Sequence, residues 1–482
     1  MSATNLHTWT LSSLSDALRT KQASPVEITR ACLERVEEHD GRINAFITTL
    51  VKPALAAASK AESQILKGRY AGPLHGVPYA VKDLFLTRGI RTTCGSKVLN
   101  AFVPSYNAAV VDRLDRAGGI LLGKLNMHEF AFGATSVNPH YGAVRNPWDP
   151  SRMTGGSSGG SAAAIACSFA FLTLGTDTGG SVRIPASLCG VCGLKPTYGR
   201  VSRFGAYPLA WSMDHVGPIA GSVRDLALAM QLLAGPDRRD PSSARVPVPD
   251  YTRALEGDLE GVRLGVPDQF YFDGLYPEVR SSIDQALARL KQLGASVSPI
   301  SLDLLPDAAR AASIILFAEA AGSLEKWHRT RSEALGTDVR ARLDAAANVS
   351  AADYLKALRI RRKVQGAFAR AFRAVDALIT PQLPVTAPLI DDTTVLVDGR
   401  AEPVPAALTR FTRIYNLTGM PCLSVCCGYS AAGLPIGLQI AGRPFDEAMV
   451  LRIGDAFERD LRLVKRPTLT SSGQSAIESE ES

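Results

Sequence analysis

Apolar positions along the chain switch between a spacing of three to four and a spacing of two, which predicts helices interleaved with short strands. The first clear helix begins at Ser24 as N-cap, with Pro25 at the first helical position and Glu27 closing a capping box. Ile28, Cys32, Leu33 and Val36 then share one face. Residues 72–83, GPLHGVPYAVKD, open as a turn-rich loop and end with Val77, Tyr79 and Val81 alternating with Pro78, Ala80 and Lys82. That alternation predicts a strand. It leaves two places for Lys82, turned inward or snorkelling to the surface.

Residues 107–118 read as a helix closed by Gly118, followed by a strand at 120–122. The loop at 126–148 carries Met127, His128, Glu129, Phe130 and Phe132. His128 and Glu129 are adjacent, so their side chains are not expected to face each other as an acid–base pair. Residues 162–174 form an apolar run that reads as a buried helix entering a buried strand, flanked by glycine- and serine-rich clusters that together span 154–185. Downstream, 190–218 is punctuated by glycine and proline, 223–233 is helical, and 234–243 (AGPDRRDPSS) is the best linker candidate. A strand at 262–266 leads to an amphipathic helix at 278–294, with Val279, Ile283, Leu287, Leu290 and Leu293 inward and Gly294 as its stop. Strands are expected at 297–300, 376–380, 423–427 and 435–441, and 307–373 is largely helical. The tail from 466 is polar. The alternation predicts an α/β fold, a central mixed twisted β-sheet covered by helices on both faces, as one domain over 1–465.

Composition narrows the class. A chain of 482 residues with 46% hydrophobic content can bury a large core. Residues 1–11 have no basic start followed by an apolar run, so no secretory signal is expected. The longest apolar run falls short of the roughly 20 residues that span a bilayer, and a cytoplasmic protein is expected. Eight cysteines in apolar contexts read as reduced core thiols. Cys189 and Cys192 form a C-x-x-C with no second half, so no metal is expected there. The net charge of +7 is modest for the length. Its densest run, Arg359, Arg361, Arg362 and Lys363, has the spacing of a solvated helix face and no interleaved aromatics, which does not favour nucleic acid.

The two serine clusters carry the candidate chemistry, because glycine lets backbone amides approach a reacting atom. Residues 155–159 satisfy G-x-S-x-G, but the preceding residues are turn-like and the only later histidines are His215 and His328, against a nucleophile elbow. Neither cluster ends in Gly-Lys-Ser/Thr, against a phosphate cradle. A third reading is a serine activated by a buried neutral lysine. Composition does not choose among the three.

The runs GGSSGGSAAAIA (155–166) and GTDTGGSVRIPA (175–186) strongly resemble the amidase signature family. So do GPLHGVPYAVKD, GVCGLKPTYGRVS (190–202), SMDHVGP (212–218) and GLPIGLQIAG (433–442). The separations of Lys82, Ser157 and Ser181 match as well. The resemblance implies a Ser–cis-Ser–Lys triad, with Ser181 the nucleophile, Ser157 the bridge and Lys82 the base. It places a cis peptide between Gly156 and Ser157 and an oxyanion hole at the backbone of Thr178, Gly179, Gly180 and Ser181. Ser158 would support the network, Asp177 would orient the loop, Arg183 would be structural, and Ala131 would leave room for substrate.

Within the family, one branch is the A subunit of the glutamyl-tRNA(Gln) amidotransferase, a glutaminase in a complex. Residues 406–415 (AALTRFTRIY) lack the acidic segment of that branch, which favours a free-standing amidohydrolase cleaving linear amides, anilides, carbamates or esters through an acyl-enzyme. The partners expected on that reading are a small-molecule amide, with no nucleic acid, no membrane, no cofactor, and a homodimer as an option. Candidate pocket walls are Met127, Phe132, Trp211 and Phe317, which suit an aryl or alkyl acyl group.

Overall fold

Eleven of the short apolar runs pair into one sheet, and a computed structural model describes it within residues 6–461 and 465–469. The start of the N-terminal segment and most of the polar tail from 466 lie outside the described residues. Across the sheet the strands run Phe46–Thr49, Ile120–Leu125, Pro78–Lys82, Leu172–Asp177, His215–Ala220, Cys192–Lys195, Cys422–Tyr429, Pro435–Gly442, Ala377–Pro381, Arg263–Pro267 and Ser296–Ile300. Pro78–Lys82 is parallel to both its neighbours, and Arg263–Pro267 is parallel to both of its own. The pairs in between are antiparallel, so the sheet is mixed. Helices flank it, as the amphipathic patterns require. Among the described residues no helix is long and apolar enough to cross a membrane.

Ser24 accepts a hydrogen bond from the Glu27 amide at 3.1 Å and donates its hydroxyl to Glu62, but the Glu27 carboxylate does not return to the Ser24 amide, so only half of the capping box is formed. The apolar run between the serine clusters folds as the helix Gly159–Ala166 and the strand Leu172–Asp177, every residue buried. Pro277–Gln292 buries Val279, Ile283 and Leu290, while Leu287 and Leu293 stay partly exposed. The region expected to be helical resolves into Leu305–Thr330, Thr337–Ala346 and Ala351–Ala371. On the last of these, Arg359, Arg362 and Lys363 face outward, but Arg361 turns in and donates to the Ser212 carbonyl at 2.9 Å and hydroxyl at 3.0 Å.

The linker candidate at 234–243 does not separate two units. Strands on either side of it belong to the same sheet, and the segment is tied down by Gly235 N–H to Arg200 O (3.0 Å) and by Arg113 to the carbonyls of Leu233, Gly235 and Pro236. Glycine, proline and aspartate there make turns, not a tether. All eight cysteines are unpaired thiols, and only Cys426 is even partly exposed.

Candidate active site

Lys82 closes a strand in which all five residues are buried. Its neighbour on one side, Leu172–Asp177, runs parallel with Val81 opposite Leu174, so Lys82 and Thr176 emerge together near the carboxyl ends of their strands. Such ends are where open α/β sheets place ligands. The helix Gly159–Ala166 begins just there, and the turn before it brings Ser157 and Ser158 over the lysine. The Gly156–Ser157 peptide is cis.

Lys82 Nζ contacts three hydroxyl oxygens: Ser157 Oγ at 2.7 Å, Ser158 Oγ at 2.9 Å and Thr176 Oγ1 at 3.0 Å. Lys82, Ser157 and Ser158 are wholly buried. Burial penalises the ammonium and lowers the Lys82 pKa to about 7, against the pull of Asp177 and Asp214. The Ser158 hydroxyl donates to the Thr176 carbonyl at 3.2 Å, so toward Lys82 it is an acceptor. Spending its side chain this way, Ser158 does not cap its own helix; the Gly159 amide is met instead by Ser136 Oγ at 3.0 Å. Gly175 leaves the room for it, since a Cβ there would lie 2.7 Å from Ser158 Oγ.

Ser181 reaches this cluster through the main chain, its carbonyl accepting from the Ser158 amide at 3.2 Å. Its loop is fixed from behind. Arg183 Nε and Nη2 hold the two Asp177 carboxylate oxygens at 3.0 Å each, and Asn416 Nδ2 donates to both the carboxylate and the carbonyl of Asp177 at 2.8 Å. Burial would raise the Asp177 carboxyl, yet the Arg183 guanidinium, with Lys195 and Asn416, holds it well below the usual carboxylate range. Asp177 in turn accepts from the Gly180 amide at 2.9 Å and the Val182 amide at 3.1 Å. Of the amides expected at an oxyanion hole, that of Gly180 is therefore engaged, while those of Gly179 and Ser181 have no acceptor among the described residues. Gly180 has φ +124°, and a Cβ there would sit 2.3 Å from Thr412 Oγ1. Thr178 is anchored by its hydroxyl to Asp214 at 2.6 Å.

Ser181, Thr178 and Gly179 line a cavity of about 350 Å³ together with Ala131, Phe132, Phe317, Arg342 and Arg413. Ala131, in the left-handed region at φ +59°, also borders a smaller chamber beyond Leu209. Of the expected walls, Phe132 and Phe317 pack edge to face at 5.4 Å and both line the main cavity. Trp211 lines the smaller chamber instead, and Met127 is core. His128 and Glu129 point apart: His128 Nε2 pairs with Asp338 at 2.8 Å, and Glu129 accepts from Ser96, His140 and the Gly336 amide.

Sequence reasoning missed Thr176, Lys124 and the arginines of the cavity. Lys124 is the penultimate residue of the apolar strand Ile120–Leu125 and lies 3.1 Å from Asp83, pinning the backbone next to Lys82. A lysine inside an apolar strand was the available cue.

The protein-family profile described as Amidase matches residues 27–451. The glutamyl-tRNA(Gln) amidotransferase A subunit of Geobacter metallireducens is 44% identical over 475 residues, covering 93% of this chain and 96% of that protein. The solved A subunit of the same enzyme from Thermotoga maritima superposes with a TM-score of 0.82 at 32% identity, covering 97% of this chain and 99% of its own. A structure described as a vestigial protein complex that reveals the evolutionary origins of an s-triazine catabolic enzyme gives a TM-score of 0.91 at 36% identity, covering 95% and 100%.

The likeness to these amidotransferase A subunits, carried over nearly the whole chain, overturns the expectation of a free-standing amidohydrolase. It equally overturns the expectation of a small-molecule amide as sole partner with no nucleic acid. That preference rested on the missing acidic segment at 406–415. In the structure Ala406, Thr409 and Arg413 of this region line the cavity. A wall segment reports what the cavity holds, not what the whole chain assembles with.

Proposed function

This chain belongs to the amidase family, enzymes acting on carbon–nitrogen bonds, and from that premise we propose that it is the glutamine-hydrolysing component of a glutamyl-tRNA(Gln) amidotransferase. The observation that carries the chemistry is the buried Lys82 amine, 2.7 Å from Ser157 and, among the described residues, free of any direct carboxylate partner. As a neutral amine it has two N–H donors and one lone pair. Ser158, whose proton is directed at the Thr176 carbonyl, takes one N–H and Thr176 the other, which leaves the lone pair for the Ser157 hydroxyl.

Ser157 then passes its proton to Lys82 as it draws one from Ser181, and Ser181 Oγ attacks the carboxamide carbon of glutamine. The amides of Gly179 and Ser181 stabilise the oxyanion. The relay returns a proton to the departing nitrogen, releasing ammonia and leaving a glutamyl ester on Ser181. Water, deprotonated by the same relay, hydrolyses the ester to glutamate. The ammonia is consumed at a partner subunit, where the side-chain carboxylate of glutamyl-tRNA(Gln) must first be phosphorylated by a nucleoside triphosphate so that its oxygen leaves as phosphate when ammonia attacks.

The test is glutamine-dependent amidation of glutamyl-tRNA(Gln) by the chain purified with its co-purifying subunits. Support requires that Ser181→Ala abolish amidation from glutamine while amidation from free ammonia persists. A chain that purifies alone and leaves glutamine uncleaved with or without the tRNA would overturn the reading.

A further inference from the structure

The two fully buried guanidiniums among the described residues are matched by carboxylates, Arg183 by Asp177 at 3.0 Å and Arg200 by Glu447 at 3.3 Å, while the partly buried Arg113 and Arg361 donate to backbone carbonyls instead. Arg413 has neither a carboxylate nor a carbonyl partner among the described residues. It begins the short helix Arg413–Thr418, partly exposed where it lines the cavity that holds Ser181. Its two terminal nitrogens donate to the neutral hydroxyls of Ser313 and Thr409, and its buried Nε has no partner. Among the described residues no carboxylate lies within ion-pair distance of it. Burial, and the charge of the neighbouring cation Arg342, depress its pKa to about 10.

Arg342 is compensated. It pairs with Asp338 at 2.9 Å, the carboxylate that also holds His128, and it donates to the Phe132 carbonyl. The cavity therefore carries one uncompensated positive charge, and its lining includes no aspartate or glutamate. A guanidinium left without a counter-ion in a desolvated wall is costly unless a ligand supplies the anion, and a planar fork of donors suits a carboxylate. Gly179 stands beside its stem, where an added Cβ would come 3.9 Å from the Arg413 Cβ, and Arg413, Gly179 and Ser181 line the same cavity.

We infer that Arg413 is a specificity-determining residue that holds a carboxylate on the acyl portion of the amide donor, and that the cavity has no charged site for an ammonium. This rests on the reading of the Ser181 cavity as the donor site and deepens it. Glutamine qualifies by its carboxylate, and its ammonium contributes nothing. The ω-monoamide of a plain dicarboxylic acid, such as glutaramate, is then accepted at least as well as glutamine.

The experiment compares kcat/KM for glutamine, glutaramate, glutamine methyl ester and butyramide, using the full chain with its co-purifying subunits, as wild type, Arg413→Lys and Arg413→Met. A charge-assisted contact to a buried guanidinium predicts that glutaramate exceeds butyramide by roughly 10- to 100-fold. Arg413→Met collapses that preference through KM, and Arg413→Lys restores part of it. Butyramide or the methyl ester used as well as glutaramate by the wild type would overturn the inference, as would a preference that survives in Arg413→Met. Cleavage of glutaramate with no cleavage of glutamine would sink glutamine as donor and leave the carboxylate site standing. Calorimetric binding of glutarate gives a readout independent of turnover: binding lost in a folded Arg413→Met supports the site, and absent or unchanged binding contradicts it.

Discussion

Lys82 Nζ and Ser157 Oγ lie 2.7 Å apart with both residues wholly buried, and no carboxylate among the described residues shares the contact. An amine in that setting loses its proton at a pH where a surface lysine keeps it. This sets the direction of the pH dependence.

The Lys82 pKa is lowered to about 7, and only the neutral amine can accept a proton from Ser157. Activity should therefore be lost as pH falls through about 7, by about tenfold per unit below it, and should reach a plateau above. The kcat/KM profile for glutamine checks this. Lys82→Ala should lower kcat by at least about 10³-fold and remove that acid limb.

Thr176→Val removes an acceptor that favours the charged form of Lys82. Losing it should move the Lys82 pKa further down, so the acid limb shifts to lower pH, with a smaller fall in plateau kcat than in Lys82→Ala. A limb that moves to higher pH would contradict the assignment of Thr176.

Asp177→Asn should leave Arg183 as a buried guanidinium without its counter-ion and free the loop that carries Ser181. Breaking a buried ion pair of this kind costs about 3–5 kcal/mol. Chemical denaturation should show that loss together with reduced kcat, whereas a change at an exposed pair such as Arg280–Asp284 should cost under about 1 kcal/mol.

Gly180→Ala adds a Cβ 2.3 Å from Thr412 Oγ1 at a backbone φ of +124°. The loop must shift to accept it. A fall in kcat should follow, with Thr412→Ser giving no relief because the hydroxyl and Cβ that obstruct it remain.

Much of the frame was legible because strand and helix periods are local. The apolar run between the serine clusters folded as its pattern required, and the runs from 262 to 300 gave a strand, a helix and a strand. Alternation at 77–82 identified a strand but could not orient Lys82, since a central strand is buried on both faces and its two sets of side chains are equally enclosed. Arg361 shows the same limit from the other side: it has the spacing of a solvated face, and a tertiary contact with Ser212 turns it inward. Arg413 stayed hidden because nothing local distinguishes an arginine paired across the fold from one left unpaired in a cavity. The linker at 234–243 was misread because turn composition is shared by tethers and by loops that pack.

Mapping the acyl-enzyme tests the central assignment most directly. The full chain is mixed with glutamine, quenched in acid within one turnover, digested, and searched for a glutamyl ester by mass spectrometry. The predicted result is an ester on Ser181 that is absent from Ser181→Ala. An ester on Ser157, or ammonia released from glutamine by Ser181→Ala at the wild-type rate, would contradict it.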